Sequence, residues 1–215
     1  MSNELLSLFS ATFVTFFVLI DALGVAPIFA SMTAPGGAAY ARKMAFKSVL
    51  VATIIVFAFA FGGSWLLDKM HISIDAFRAA GGALLFLIAL DMVFEKRTER
   101  REHRAESHMS EHDIPAEDIS VFPLGIPMLA GPGTIATAML YMGNAEGNIM
   151  EQAVVLTSLG LNMIVVLLVF LAAGPIIRFM GDSVAGALTR ILGVILAALS
   201  IQLLIDGIKG AFGLG

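Results

Sequence analysis

From Gln152 to Ile177 the chain runs for 26 residues without a charged side chain, and from Ser48 to Leu67 it does so for twenty. A helix adds ~1.5 Å per residue, so runs of this length reach across the ~30 Å hydrocarbon of a bilayer. Inside that hydrocarbon the backbone must satisfy its own hydrogen bonds, which the helix does. With 58% hydrophobic residues, 14% charged residues and a mean hydropathy of +0.90, the chain cannot clothe itself in a soluble surface. The sequence therefore predicts a polytopic all-α membrane protein. The absence of cysteine excludes disulfides and thiolate chemistry. A net charge of -4 with no Lys/Arg-rich groove argues against nucleic acid as a partner. The start, Met-Ser-Asn-Glu, lacks the basic region of a secretory signal, so the first apolar segment is expected to stay in the mature protein.

Read in order, the sequence predicts six spans. The first starts at Leu5 and continues past Asp21, because the sixteen residues to Ile20 cover only ~24 Å. A polar stretch, Ser31 to Lys47, follows with Pro35-Gly36-Gly37 as a breaker. Span two is Ser48–Leu67 and span three Phe77–Phe94, with Arg78 and Asp91 near its ends as snorkelling groups. Glu95 to Asp118 reads as a solvated linker of mixed charge. Spans four to six are Ile119–Met142, Gln152–Ile177 and Leu188–Leu204. The chain divides into 1–94, the linker 95–118, and 119–215.

Three spans on each side of a linker invite a search for a repeat. A shift of 110 residues lays Asp21-Ala22 on Gly131-Pro132, Met70 on Met180 and Ser73 on Ser183. A shift of 112 lays Arg78 and Gly81 on Arg190 and Gly193, with Leu84 on Leu196 and Leu87 on Leu199. Because three is odd, the two halves enter the membrane from opposite sides, and the repeat is inverted. Ten Lys/Arg fall on the linker side and three on the other. The positive-inside rule then places the linker in the cytoplasm and both termini in the periplasm of a bacterial inner membrane.

The chemistry concentrates at two interruptions. Asp21-Ala-Leu-Gly24-Val-Ala-Pro27 sets a carboxylate, a glycine and a proline into the first span. An intramembrane carboxylate is a functional candidate by default, and it can hold an ammonium group or a coupling ion. Gly131-Pro132-Gly133 breaks the fourth span, and Thr134 and Thr137 follow one turn apart where a helix restarts. Such a restart offers N–H groups and a positive dipole end to a carboxylate. The pair suits a zwitterion such as a small amino acid. The plainer reading is that glycine and proline only kink helices and let them pack. Asn162 is a further candidate lining residue, and inter-helix hydrogen bonding explains it equally well.

His108 and His112 in the linker are four apart and would share a helix face, but a solvated charged loop accounts for them better than zinc does. No metal site and no cofactor are expected. No intramembrane protease motif is present, and no enzymatic activity is expected.

The blocks Asp21-Ala-Leu-Gly24-Val-Ala-Pro27-Ile-Phe29 and Pro123-Leu-Gly-Ile-Pro127-Met-Leu-Ala-Gly131-Pro132-Gly133-Thr134 resemble the paired signature of the MarC family. These are six-span bacterial inner-membrane proteins that include small neutral amino-acid transporters. The likeness covers essentially the whole chain, with Ala22 departing from the proline usual after the aspartate. It implies transport of glycine, alanine or similar solutes, with H+ or Na+ as candidate coupling ions. Two other readings stand beside it, an exporter of drugs or metabolites, and a membrane scaffold or sensor working through the linker.

Overall fold

The computed structural model describes residues 2–94 and 118–214, and among these every regular element is helical. Helix α1 (Ser2–Ile20) is followed by α2 (Ala22–Thr33), a 3-10 turn (Ala34–Gly36) and α3 (Gly37–Lys69). Helix α4 (Ile74–Val93) completes the first part. After the linker come an irregular segment, Ser120–Leu129, called here the proline segment, then α5 (Pro132–Asn144), α6 (Ile149–Leu171) and α7 (Ala173–Phe212). The linker histidines lie outside the described residues.

Local chemistry sets these boundaries. Gly37, at φ +71°, turns the chain from the 3-10 turn into α3 in a conformation that L side chains rarely adopt. Ser73 caps α4 by accepting from the Ala76 N–H at 3.2 Å. Asn148 caps α6 through the N–H groups of Met150 and Glu151, while its own amide donates to Glu151 Oε1 at 2.7 Å. Several boundaries differ from the sequence expectation, the sixth span among them: α7 runs over Ala173–Phe212 where Leu188–Leu204 was expected. Residues 38–47 are helical although polar, because no glycine or proline interrupts them after Gly37. The fifth span stops at Leu171 rather than Ile177: Pro175 has no N–H to offer the Leu171 carbonyl, so the chain turns at Ala172 and restarts as α7.

Among the described residues, four helical stretches are long and apolar enough to cross a membrane, within 3–69, 74–93, 149–171 and 186–212. The proline segment and α5, bent by 58°, make a fifth candidate. The sequence expectation was six.

Helix α1 packs on α6, and the proline segment packs on α3; α2 packs on α7, and α5 on α4. The most extensive contact is between α4 and α7. There the glycines bring backbones together: a Cβ at Gly82 would lie 2.6 Å from Leu204 N, and one at Gly207 would lie 2.5 Å from Ala79 N. Lipid supplies no hydrophobic force between helices, so close approach of this kind is what holds them. Arg78 does not merely snorkel. Its guanidinium pairs with Asp75 at 2.7 Å and donates to Asn144, tying the start of α4 to the end of α5. A core of α1, α2, α3, α5, α6 and the proline segment surrounds Phe16, Phe29 and Leu159, and a smaller one joins Leu19, Leu85, Met92 and Leu196.

Candidate functional site

The first interruption is a single residue. Asp21 adopts φ 52°, ψ 54°, the left-handed region, which aspartate tolerates better than most side chains because it can bond its own backbone neighbourhood. Its N–H still reaches Phe17 O at 3.1 Å and its carbonyl receives Val25 N at 3.0 Å. The carboxylate is 2% exposed and caps α2, accepting from Gly24 N at 3.2 Å. Negative charge at a helix N-terminus is favourable, so the cap also meets the dipole of α2. Gly24 is required by this arrangement: a Cβ there would lie 2.3 Å from Asp21 Oδ2. Pro27 lies inside α2 rather than ending it, and withholds a donor from the Leu23 carbonyl.

The second interruption is longer than the Gly131-Pro132-Gly133 motif. Phe122 and Ile126 are extended, each placed before a cis proline, because a residue preceding proline is driven out of the helical region. Wide backbone bonds, Leu124 N to Ile119 O and Ala130 N to Gly125 O, replace the α-helical ladder. Gly131 is extended and Pro132 opens α5 as its first residue, with no side chain capping the new helix. A Cβ at Gly131 would lie 2.9 Å from Pro127 O.

The two interruptions lie at one level. A Cβ at Gly133 would lie 3.5 Å from Leu19 Cδ2, two residues before Asp21, and 2.7 Å from Ile88 Cδ1 on α4. Eight residues further along α5, the Tyr141 hydroxyl is 3.1 Å from Thr15 Oγ1 and its ring lies 6.0 Å from that of Phe16. The contacts descend α1 as they ascend α5, so the two helices run antiparallel and the end of α1 meets the beginning of α5. Thr134 and Thr137 are both buried on α5.

Asn162 sits elsewhere. Its amide donates to Phe13 O at 3.1 Å and Ser158 O at 2.9 Å, and Ser158 in turn receives Thr12 Oγ1 at 2.8 Å. This polar seam joins α1 to α6 two turns before Asp21. The sequence reading missed Thr189 of α7, which is buried and donates to Asp21 Oδ1 at 3.4 Å. No spacing could have revealed it across 168 residues. A cavity of about 550 Å³ opens at the far end of α2, lined by Phe29, Thr33, Gly37, Arg42, Phe170 and Pro175, none of them among the site residues expected from sequence.

These features define a multi-pass integral membrane protein with a buried carboxylate where two interrupted helices meet. The comparisons place it further. The family model described as "MarC family integral membrane protein" matches residues 6–212, and the chain belongs to that family. It is 35% identical over 212 residues to a UPF0056 membrane protein of Methanocaldococcus jannaschii, covering 96% of this chain and 98% of that one. The UPF0056 membrane protein YhcE of Escherichia coli is 33% identical over 200 residues, covering 93% and 91%. YvbG of Bacillus subtilis is 33% identical over 202 residues, covering 93% of each. No solved structure gives a significant match.

Proposed function

We propose that the protein is a secondary transporter of small neutral amino acids, which it binds where the two interrupted helices meet. The observation that carries this reading is the common level of the breaks, with Leu19 against Gly133 and the buried Asp21 two residues on from Leu19. Asp21 holds the ammonium group of the solute or a coupling H+ or Na+. Gly131, Gly133 and Thr134, at the uncapped start of α5, face the carboxylate.

Six spans in two inverted halves fit this role. The stretch from 3 to 69 would measure ~100 Å as one helix, about three times the hydrocarbon thickness. Divided at Asp21 and again at the turn 34–36, it supplies two passages. The packing supports the symmetry: exchanging α1 with the proline segment, α2 with α5, α3 with α6 and α4 with α7 maps the principal helix pairs onto one another. Bacterial relatives and the excess of Lys/Arg on the linker side favour the plasma membrane with the linker inside.

The test is flux in proteoliposomes with a panel of labelled amino acids under imposed proton or sodium gradients. Uptake of small neutral amino acids that disappears in Asp21→Asn, with insertion unchanged, is the result expected. A wild-type protein that moves none of them refutes the reading and leaves an exporter of drugs or other metabolites, or a scaffold or sensor.

A further inference from the structure

Among the described residues, the hydroxyl of Thr137 is the buried side-chain polar atom without a hydrogen-bond partner. Its residue is 1% exposed. Other hydroxyls on these helices behave differently. Thr15, Thr33, Ser48, Thr53 and Ser158 each donate to the carbonyl four residues earlier, at 2.7 to 2.9 Å. That back-bond is the usual way a membrane helix satisfies a hydroxyl. For Thr137 the carbonyl would be that of Gly133, inside the same helix, and the bond is not made. A buried hydroxyl left unpaired is costly, so its persistence calls for a partner beyond the chain.

Its position says which partner. Gly133, Thr137 and Tyr141 are spaced four apart and share a helix face. Gly133 meets Ile88 and Leu85 of α4 together with Leu19 of α1, and Tyr141 meets Thr15, so Thr137 lies on the side of α5 turned toward α1 and α4, about one turn from the break at Asp21. Resting on the transport reading, we propose that Thr137 is a specificity residue whose hydroxyl donates to a carboxylate oxygen of the amino acid while Asp21 takes the ammonium end. The solute then bridges two helices from opposite halves, and a molecule lacking the carboxylate loses one of its two anchors.

The experiment compares wild type with T137V, which removes the hydroxyl at nearly constant volume, and with T137S, which restores it. Uptake of radiolabelled alanine into proteoliposomes is measured with alaninamide as competitor, and thermal unfolding is followed without substrate. The expected result for T137V is a KM raised about tenfold, as for one hydrogen bond to a charged group. Its preference for alanine over alaninamide shrinks, its Tm rises because the unpaired group is gone, and T137S recovers the affinity. Should T137V fail to insert, T137A is judged by the same KM and preference. A valine or alanine variant that keeps the wild-type KM and preference overturns the proposal while leaving transport intact. A wild-type protein that takes up no amino acid overturns both.

Discussion

The carboxylate of Asp21 and the α-carbon of Gly24 are so close that a single methyl group on the glycine would lie 2.3 Å from Oδ2. The cap on α2, the left-handed turn and the missing side chain are one device, and each part requires the others.

Gly24→Ala should therefore push the carboxylate out of its cap and cut amino-acid uptake more than tenfold in the proteoliposome assay. Gly62→Ala is the control. A Cβ there meets nothing within 4 Å, and alanine in an open helix position should raise stability by roughly 0.5–1 kcal/mol, read as a higher Tm.

Asp21→Asn and Asp21→Ala should separate charge from conformation. Asparagine tolerates the left-handed region and keeps a capping oxygen, so that variant should fold as well as wild type and lose only flux. Alanine loses the cap and strains at φ 52°, for a stability loss of roughly 1–3 kcal/mol in chemical denaturation.

Asn162→Leu removes the amide bonded to Phe13 O across the α1–α6 seam. Such bonds in membranes contribute about 0.6–2 kcal/mol. The variant should melt earlier by about that amount in detergent while its KM for transported amino acids stays at the wild-type value.

Lys47 pairs with Asp118 where α3 meets the residues preceding the proline segment. The lysine ammonium and the Ser120 groups hold the Asp118 carboxyl down from 3.8 to about 2. A depressed acid contributes stability that is fully present above its unfolded value and is lost as pH falls through the folded one. The stability gap between wild type and Lys47→Met should accordingly be flat above pH 3.8 and close toward pH 2. Both side chains are close to half exposed, so the gap should stay under about 1 kcal/mol and shrink with salt.

Gly207→Ala would bring a methyl group within 2.5 Å of Ala79 N and 2.8 Å of Asp75 O. Backbone cannot rotate aside as a side chain can, so α4 and α7 must separate, at a cost of roughly 1–3 kcal/mol in thermal unfolding.

Much of this was legible in the chain. Twenty uncharged residues from Ser48 to Leu67 dictate a membrane helix wherever they are placed, and the breaker Pro35-Gly36-Gly37 marks the turn before α3. Both interruptions could be located, because an acid, glycines and prolines in apolar sequence contradict continuous span. Their extents could not. The proline segment is irregular over ten residues, since two prolines act on the residues before them, whereas Pro27 is absorbed within α2. Arg78 read as a surface anchor because Asn144, its partner, is 66 residues away.

By itself the sequence determined that this chain is helical, membrane-spanning and broken at Asp21 and Gly131, because run length and backbone chemistry are local properties. Only the tertiary structure decided that Leu19 meets Gly133, that Thr189 reaches Asp21, and that Asn162 joins a packing seam while Thr137 is left unpaired. A hydroxyl or amide carries no local mark of its partner. Which groups are satisfied depends on which helix faces come together, and that is fixed by close packing between segments more than a hundred residues apart.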